Sequence, residues 1–333
     1  MTRAALLALA PGMLSTIQDT GRRGWQRFGV SSGGAMDLEA FTAANALLGN
    51  PPGTAAIEFA YSGGVWEVNA ESCRLAVTGG DFGISVDGSP LPAYTTALLQ
   101  RGRTLRIDGA AGAIWGYLAV AGGFDLPPQL GSLSTHLRAG IGGLHGRALR
   151  SGDSLPLLSE RASVQRERTI ARRPARPDAP IRVVLGPQDD YFTAGSLDTL
   201  LSAEYVITRQ GDRMGYRLAG PALIHTRGYN IISDGVVAGS IQVPGTGQPI
   251  VLLMDRQPTG GYPKIATVIS VDLGQVAQRR PGQALRFQPL DIEAAQELHR
   301  GFVDALDALP GQVREIGAPQ RAQRPQRAFW LRN

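Results

Sequence analysis

The stretch TGGYPKIATV, Thr259 to Val268, holds the chain's single lysine, Lys264, whereas the other 32 basic side chains among 333 residues are arginine. In an arginine-rich chain a stray lysine is, in the plainest case, an ordinary solvated side chain. Chemistry offers an alternative. An ammonium is a compact point charge that burial can desolvate and deprotonate, while a guanidinium is a planar fork that stays protonated. A tight site that needs the first cannot accept the second. Gly260 and Gly261 bend the chain ahead of Pro263, and Lys264 then leads a strand that alternates through Ile265, Thr267, Ile269 and Val271. Asp255, Gln257, Asp272, Gln275 and Gln278 bracket it with acceptors and amides. A lysine near carboxylates can hold a developing oxyanion, and an aspartate can move a proton.

A second polar concentration is STIQDTGRRGWQRFGVSSGGAMD, residues 15–37. Gly21, Gly24, Gly29, Gly33 and Gly34 permit turns that bring Ser15, Gln18, Asp19, Arg22, Ser31 and Ser32 close together. Asp37, at the start of a helical pattern, adds free amide donors and hence a place for an anion. A solvated connection is the bland reading. A stretch of this length without regular structure inside a domain points instead to a functional loop. It is expected to share one cleft with the lysine strand, Ser31 to Asp37 facing Tyr262 to Lys264.

The elements that must position these residues are mostly short strands. Gly 43 and Pro 22 with only 18% charged residues predict many turns, and 43% apolar residues are ample for a core. Strand patterns in the first part are ALLALA, AAIEFA, VWEVN, CRLAVTG, ISVDG, TLRIDG and AIWGYLAVAGG. In the second they are IRVVLG, EYVITR, GYRLAG, GSIQVP, PIVLLMD, IATVISVD and ALRFQPL. Antiparallel barrels use so many short strands without leaving edges. RGRTL, SGDSL and PGQAL, beginning at residues 101, 151 and 281, each set a glycine turn just before a strand leucine and hint at two related halves. Two helices stand out. One runs from Asp37 as cap through Leu38, Phe41, Ala44 and Leu48 to Gly49, with Asn45 on its apolar face needing a partner. The other carries the stripe Ile292, Ala295, Leu298, Phe302 and Leu306 and is expected to pack on a barrel.

This gives a division into a β-rich half with the loop and helix (1–158), an arginine-rich linker (159–179), a β half with the GGYPK motif (180–290), an amphipathic helix (291–310) and a basic tail (311–333). The linker and tail together carry +7 against a total of +5, so the remaining chain is net −2 and a basic folded face for nucleic acid is not supported; in the tail Phe329 and Trp330 are the possible anchors. Cys73 stands alone in a strand pattern and reads as a buried thiol, which excludes disulfides and thiolate metal sites. His136, His145, His225 and His299 lack metal-ligand spacing, so no metal is expected. The apolar N-terminal run is too short to span a bilayer, and the chain is read as soluble, cytoplasmic and not membrane-bound.

The motifs STIQDxGRxGxxxxGVxxGGAMDxxAxxxANxLLGN, AAIEF, GSxSTxxxAxxGGxxGRxLxxGD and QPTGGYPKIATVISVDLxxxAQxRPG resemble the allophanate hydrolase subunit 2 family from about Leu14 to Leu290. That family includes the C subunit of bacterial 5-oxoprolinase, an antagonist of a sporulation-kinase inhibitor, and half of the urea carboxylase carboxyltransferase domain. The resemblance implies a mainly β fold of cyclophilin-like barrels, arranged as two linked halves with a few helices. It makes Lys264, Asp272 and Tyr262 candidate catalytic residues. Gln257, Gly260, Gly261, Ser31, Ser32, Gly33, Asp37 and Arg22 are the candidate substrate-binding residues.

The leading activity it implies is ATP-dependent cleavage of a small cyclic amide, 5-oxoproline, beside a B-type partner (allophanate hydrolase subunit 1-like) and an A-type partner. No GxxxxGK[ST] is present, so ATP would bind irregularly or on a partner. The alternatives are a carboxyltransferase half acting on urea, with biotin delivered in trans because no biotin-attachment segment is present, or a regulatory protein that binds a kinase inhibitor.

Overall fold

The computed structural model describes residues 3–171 and 179–317. The expected strands form, because alternating and continuous apolar runs such as AIEFA and WGYLAV are buried along their whole length. In the first half, a six-stranded and a five-stranded antiparallel sheet face each other. Their shared core includes Leu6, Trp66, Val68, Leu105 and Ile107 from one sheet and Ile57, Phe59, Leu75, Val77 and Leu118 from the other.

The second half is one eight-stranded sheet. Its two edges are Ala284–Leu285 and Phe287–Pro289, which are consecutive in sequence, so Arg286 alone separates the edge strands and the sheet nearly closes into a barrel. Its pairings are antiparallel except for the parallel one of Ile181–Leu185 with Phe287–Pro289, which carries the chain back beside its own other edge. Ile181, Val183, Tyr205, Ile241, Val251 and Ile265 fill its core. The three recurrent glycine turns are alike in geometry. Gly102, Gly152 and Gly282 all have φ between 79° and 89°, the left-handed region open to glycine, and each N–H donates to a strand carbonyl at 2.8 Å.

The first expected helix is α1, Leu38–Leu48, capped by the Asp37 carboxylate and ended by left-handed Gly49. It covers the outer face of the five-stranded sheet, where Ala56, Ala76, Tyr117 and Ala119 meet it. Asn45 finds its partner, donating to the Thr54 carbonyl at 2.8 Å. Two short helices, α2 (Ala194–Ser202) and α3 (Leu273–Ala277), were not legible as apolar stripes. The second expected helix, α4 (Ile292–Asp307), packs on α1 and the turn Ser270–Asp272 rather than on a barrel face, and Phe302 is its one buried residue.

The arginine-rich segment is fastened to the first half as far as it is described. Arg74, nearly fully buried, is ion-paired with Glu167, and Arg168–Thr169 pairs with Arg314–Glu315. Residues 172–178 of the expected linker and 318–333 of the expected tail, with Phe329 and Trp330, lie outside the described residues. Among the described residues no helix is long and apolar enough to cross a membrane.

Candidate functional site

Lys264 begins the strand Lys264–Val268, which lies inside the barrel sheet between Ser240–Gln242 and Ile181–Leu185. The ladder to Ser240–Gln242 shifts register between Ile241 and Gln242, so that Ile241 opposes Ala266 and Gln242 opposes Lys264. A bulge of this kind bends a strand end and re-aims its side chains. The lysine side chain is 3% exposed. Its Nζ forms an ion pair with Asp234 and donates to the Gly235 carbonyl at 2.7 Å. A buried ammonium is tolerated only with such partners. In return Lys264 holds the Asp234 carboxyl below its ordinary value, helped by Gln188 and the Gly235 N–H.

The roof over this ion pair is a two-residue ladder, Asp234–Gly235 against Thr259–Gly260. It approaches the barrel so closely that a Cβ on Gly260 would lie 2.3 Å from Gln242 Nε2. Gln242 donates to the Tyr262 carbonyl at 3.3 Å and accepts from Gln257 Nε2 at 3.5 Å. The Gly261 carbonyl accepts from the Ile231 N–H at 2.9 Å. The Tyr262 side chain is 39% exposed. The GGYPK motif and Gln257 are thus one assembly around Lys264, with its backbone contributing as much as its side chains.

The early loop divides between two places. Ser31 Oγ donates to the Arg256 carbonyl at 2.6 Å, and Arg256 Nη1 reaches Ser32 Oγ at 3.5 Å. Arg256 Nε in turn donates to the Val236 carbonyl at 3.3 Å, so the two serines connect through Arg256 to the segment that carries Asp234. Gly33, at φ 63°, sits against Ser134, whose Oγ would be 2.7 Å from a Cβ there. Arg22 is 1% exposed and donates to the Ser134 carbonyl, while its Nε and Nη1 meet no acceptor among the described residues. Burial lowers its pKa against the pull of Asp19 and Asp255.

Asp37 does not reach Lys264 through any hydrogen bond. It caps α1, accepts from Gln278 Nε2 at 2.9 Å and lies against Gly274 of α3. Asp37 thus serves as a helix cap that also bonds α1 of the first half to Gln278 of the second. Asp272 is likewise engaged elsewhere: Arg182 grips both its oxygens, at 2.6 and 3.0 Å, and the Arg182 N–H adds a bond at 2.8 Å. With every short contact going to Arg182, this carboxylate is arranged to anchor a barrel strand.

Between the halves lies a buried ionic cluster. Arg213 pairs with Glu58 and with Asp255, and donates to the Gly34 carbonyl at 2.7 Å. Glu58 also accepts from the Met36 N–H and the Tyr117 hydroxyl, both at 2.8 Å. Burial pushes the Glu58 carboxyl up, against the pull of Arg213. Burial alone would lower Arg213, but Asp255 and Glu58 outweigh it and the net shift is upward. Trp115 Nε1, from the first half, adds a bond to Tyr216 Oη, from the second, at 3.0 Å. Asp234, Gln188, Gln242, Arg256, Arg213 and Glu58 were not singled out from sequence. Glu58 carried a usable signal, a lone carboxylate inside the apolar run AAIEFA, because a buried charge demands a partner.

A nearly closed β-barrel is thus joined through a buried ionic cluster to a second β unit, and its lysine is roofed by a glycine ladder. The chain belongs to the carboxyltransferase domain family, subdomains A and B, which it matches over residues 28–289. It is 40% identical over 302 residues to the 5-oxoprolinase C subunit of Haemophilus influenzae, covering 91% of this chain and 95% of that one. It is 36% identical over 291 residues to the 5-oxoprolinase C subunit of Escherichia coli, covering 87% and 93%. The K. lactis urea amidolyase structure superimposes with a TM-score of 0.86 at 27% identity, covering 93% of this chain but 20% of that larger chain.

Proposed function

We propose that this chain is one subunit of an ATP-dependent 5-oxoprolinase that opens 5-oxo-L-proline to L-glutamate together with B-type and A-type partner subunits. The observation that carries the reading is the Lys264 ammonium, buried and fixed by Asp234 and Gly235 beneath the Gly260 ladder. A lactam carbonyl is a poor electrophile. Transfer of a phosphoryl group from ATP to its oxygen, with ADP leaving, would activate the carbon for attack by water; the ring nitrogen then leaves with a proton, and a second water hydrolyses the resulting acyl phosphate to the carboxylate and free phosphate. A fixed cation at that oxygen stabilises the charge that develops there. The choice of substrate leans on length, since the chain spans nearly all of the 5-oxoprolinase subunits it resembles and a small part of urea amidolyase.

The purified chain alone is expected to hydrolyse little ATP with 5-oxoproline, and addition of the B-type and A-type subunits to restore turnover. Full turnover by the isolated chain would contradict the multi-subunit reading. A second reading is favoured by the close superposition on urea amidolyase, namely a carboxyltransferase half that acts on urea with biotin carried by another chain. Carboxylation of urea by the complex with a biotin carrier, and no ATP hydrolysis with 5-oxoproline, would select it.

A further inference from the structure

Asp234 has no place in the motifs that drew attention to Lys264, yet it is the residue most tightly bound to it. Its Oδ2 accepts from Lys264 Nζ and from Gln188 Nε2 at 3.1 Å, while Oδ1 accepts from the Gly235 N–H at 2.8 Å. A carboxylate offers about four lone-pair positions, so Oδ1 keeps one free, and the side chain is 51% exposed. On the other side of the pair, an ammonium has three N–H donors. Lys264 gives one to Asp234 and one to the Gly235 carbonyl, and the third has no acceptor among the described residues. The ion pair thus carries one unused acceptor next to one unused donor.

We infer that Asp234 and Lys264 together read the edge of a cis amide: the lysine donates to its C=O and the aspartate accepts from its N–H. A lactam ring forces N–H and C=O onto the same side, and urea also has an N–H beside its C=O, whereas a trans peptide points the two groups in opposite directions. The complementary substrate class is therefore a small cis amide. Esters and lactones, which present no N–H, leave the Asp234 acceptor unmatched. Asp234 is a specificity-determining residue, and Gln188 is its positioning residue because its amide bonds Asp234 while its Oε1 accepts from the Lys264 N–H at 3.1 Å. The inference rests on the amide-cleaving reading above.

Binding tests it without requiring turnover. 5-Oxoproline and its lactone counterpart, with ring oxygen in place of N–H, are titrated calorimetrically into the assembled complex. A hydrogen bond to a charged group predicts a lactam preference of about 10- to 150-fold. Asp234→Ala is expected to reduce that preference to within about threefold, and Asp234→Asn, whose carbonyl still accepts, to keep an intermediate value. A purely structural role would weaken both ligands equally and leave the ratio unchanged. Because the side chain is half exposed, thermal melting should show both variants folded, and the wild-type ratio tests the inference even if one is not. Equal binding of the two ligands by the wild type, no binding of either, or an unchanged ratio in Asp234→Ala would overturn it. Lactam-selective binding without ATP turnover would sink the functional reading and leave this inference standing, while turnover without lactam selectivity would do the reverse.

Discussion

Replacement of Arg213 by methionine removes the cation at the centre of the cluster that joins the two halves. The guanidinium is 4% exposed and bonds Glu58, Asp255 twice, at 2.9 and 3.0 Å, and the Gly34 carbonyl. Without it Glu58, fully buried, keeps only the Met36 N–H and the Tyr117 hydroxyl, and Asp255 loses both bonds. Breaking a buried pair by removing one partner costs about 3–5 kcal/mol, a large part of the roughly 5–15 kcal/mol that holds a typical protein folded. Urea denaturation followed by far-UV circular dichroism reads the loss. The effect should depend on pH with a definite sign. Burial already raises Glu58 above its ordinary 4.5, and loss of Arg213 raises it further. Between the unfolded and folded values the folded form then binds more protons, so the variant loses stability as pH rises through that window. The deficit is therefore largest near neutral pH and shrinks under mildly acid conditions. Adding Glu58→Gln and Asp255→Asn should recover part of it. A deficit under about 1 kcal/mol, or one that does not change with pH, would refute the view that this cluster joins the halves through charge pairing.

Asp272→Ala is expected to lower the melting temperature through loss of the Arg182 grip and to leave KM nearly unchanged in the protein that remains folded. Lost activity with an unchanged melting temperature would return Asp272 to the chemistry. Gly260→Ala should displace Gln242 from the Tyr262 carbonyl and reduce kcat/KM by about 10- to 100-fold with the fold intact. Normal kinetics would show that the close approach is incidental. Cys73 is 4% exposed, and burial pushes its thiol up to about 12, so at pH 8 it should resist alkylation in the folded protein and react readily in urea. Rapid labelling of the folded chain would contradict that burial.

Most strands were legible because their burial follows local patterns, as in AAIEFA and IRVVLG, and α1 because its cap, stripe and terminal glycine agree with one another. α3 was not, since IATVISVD reads as a strand alternating through Val271, whereas the strand ends at Val268 and the chain turns through Ser270–Asp272 into the helix. Lys264 stood out by its type. Its ion-pair partner did not, because Asp234 lies 30 residues away in an exposed segment with no pattern, and is brought to it by a two-residue ladder. Asp37 and Asp272 looked chemical from sequence because both sit beside glycine-rich or motif residues, but helix capping and strand anchoring also place carboxylates at such positions. Sequence shows the type of a charged group, and only the fold shows which charge neutralises it.

The central claim is that the Lys264 ammonium, as a point charge, supports catalysis in the assembled complex. Lys264→Arg keeps the positive charge and replaces its shape, and 5-oxoproline-dependent ATP hydrolysis of the reconstituted complex is the direct readout. The expected result is a loss of about 100-fold or more, the usual consequence of removing one fixed donor from a developing oxyanion, with assembly and melting temperature unchanged. A complex carrying arginine at position 264 that turns over at the wild-type rate would contradict the claim.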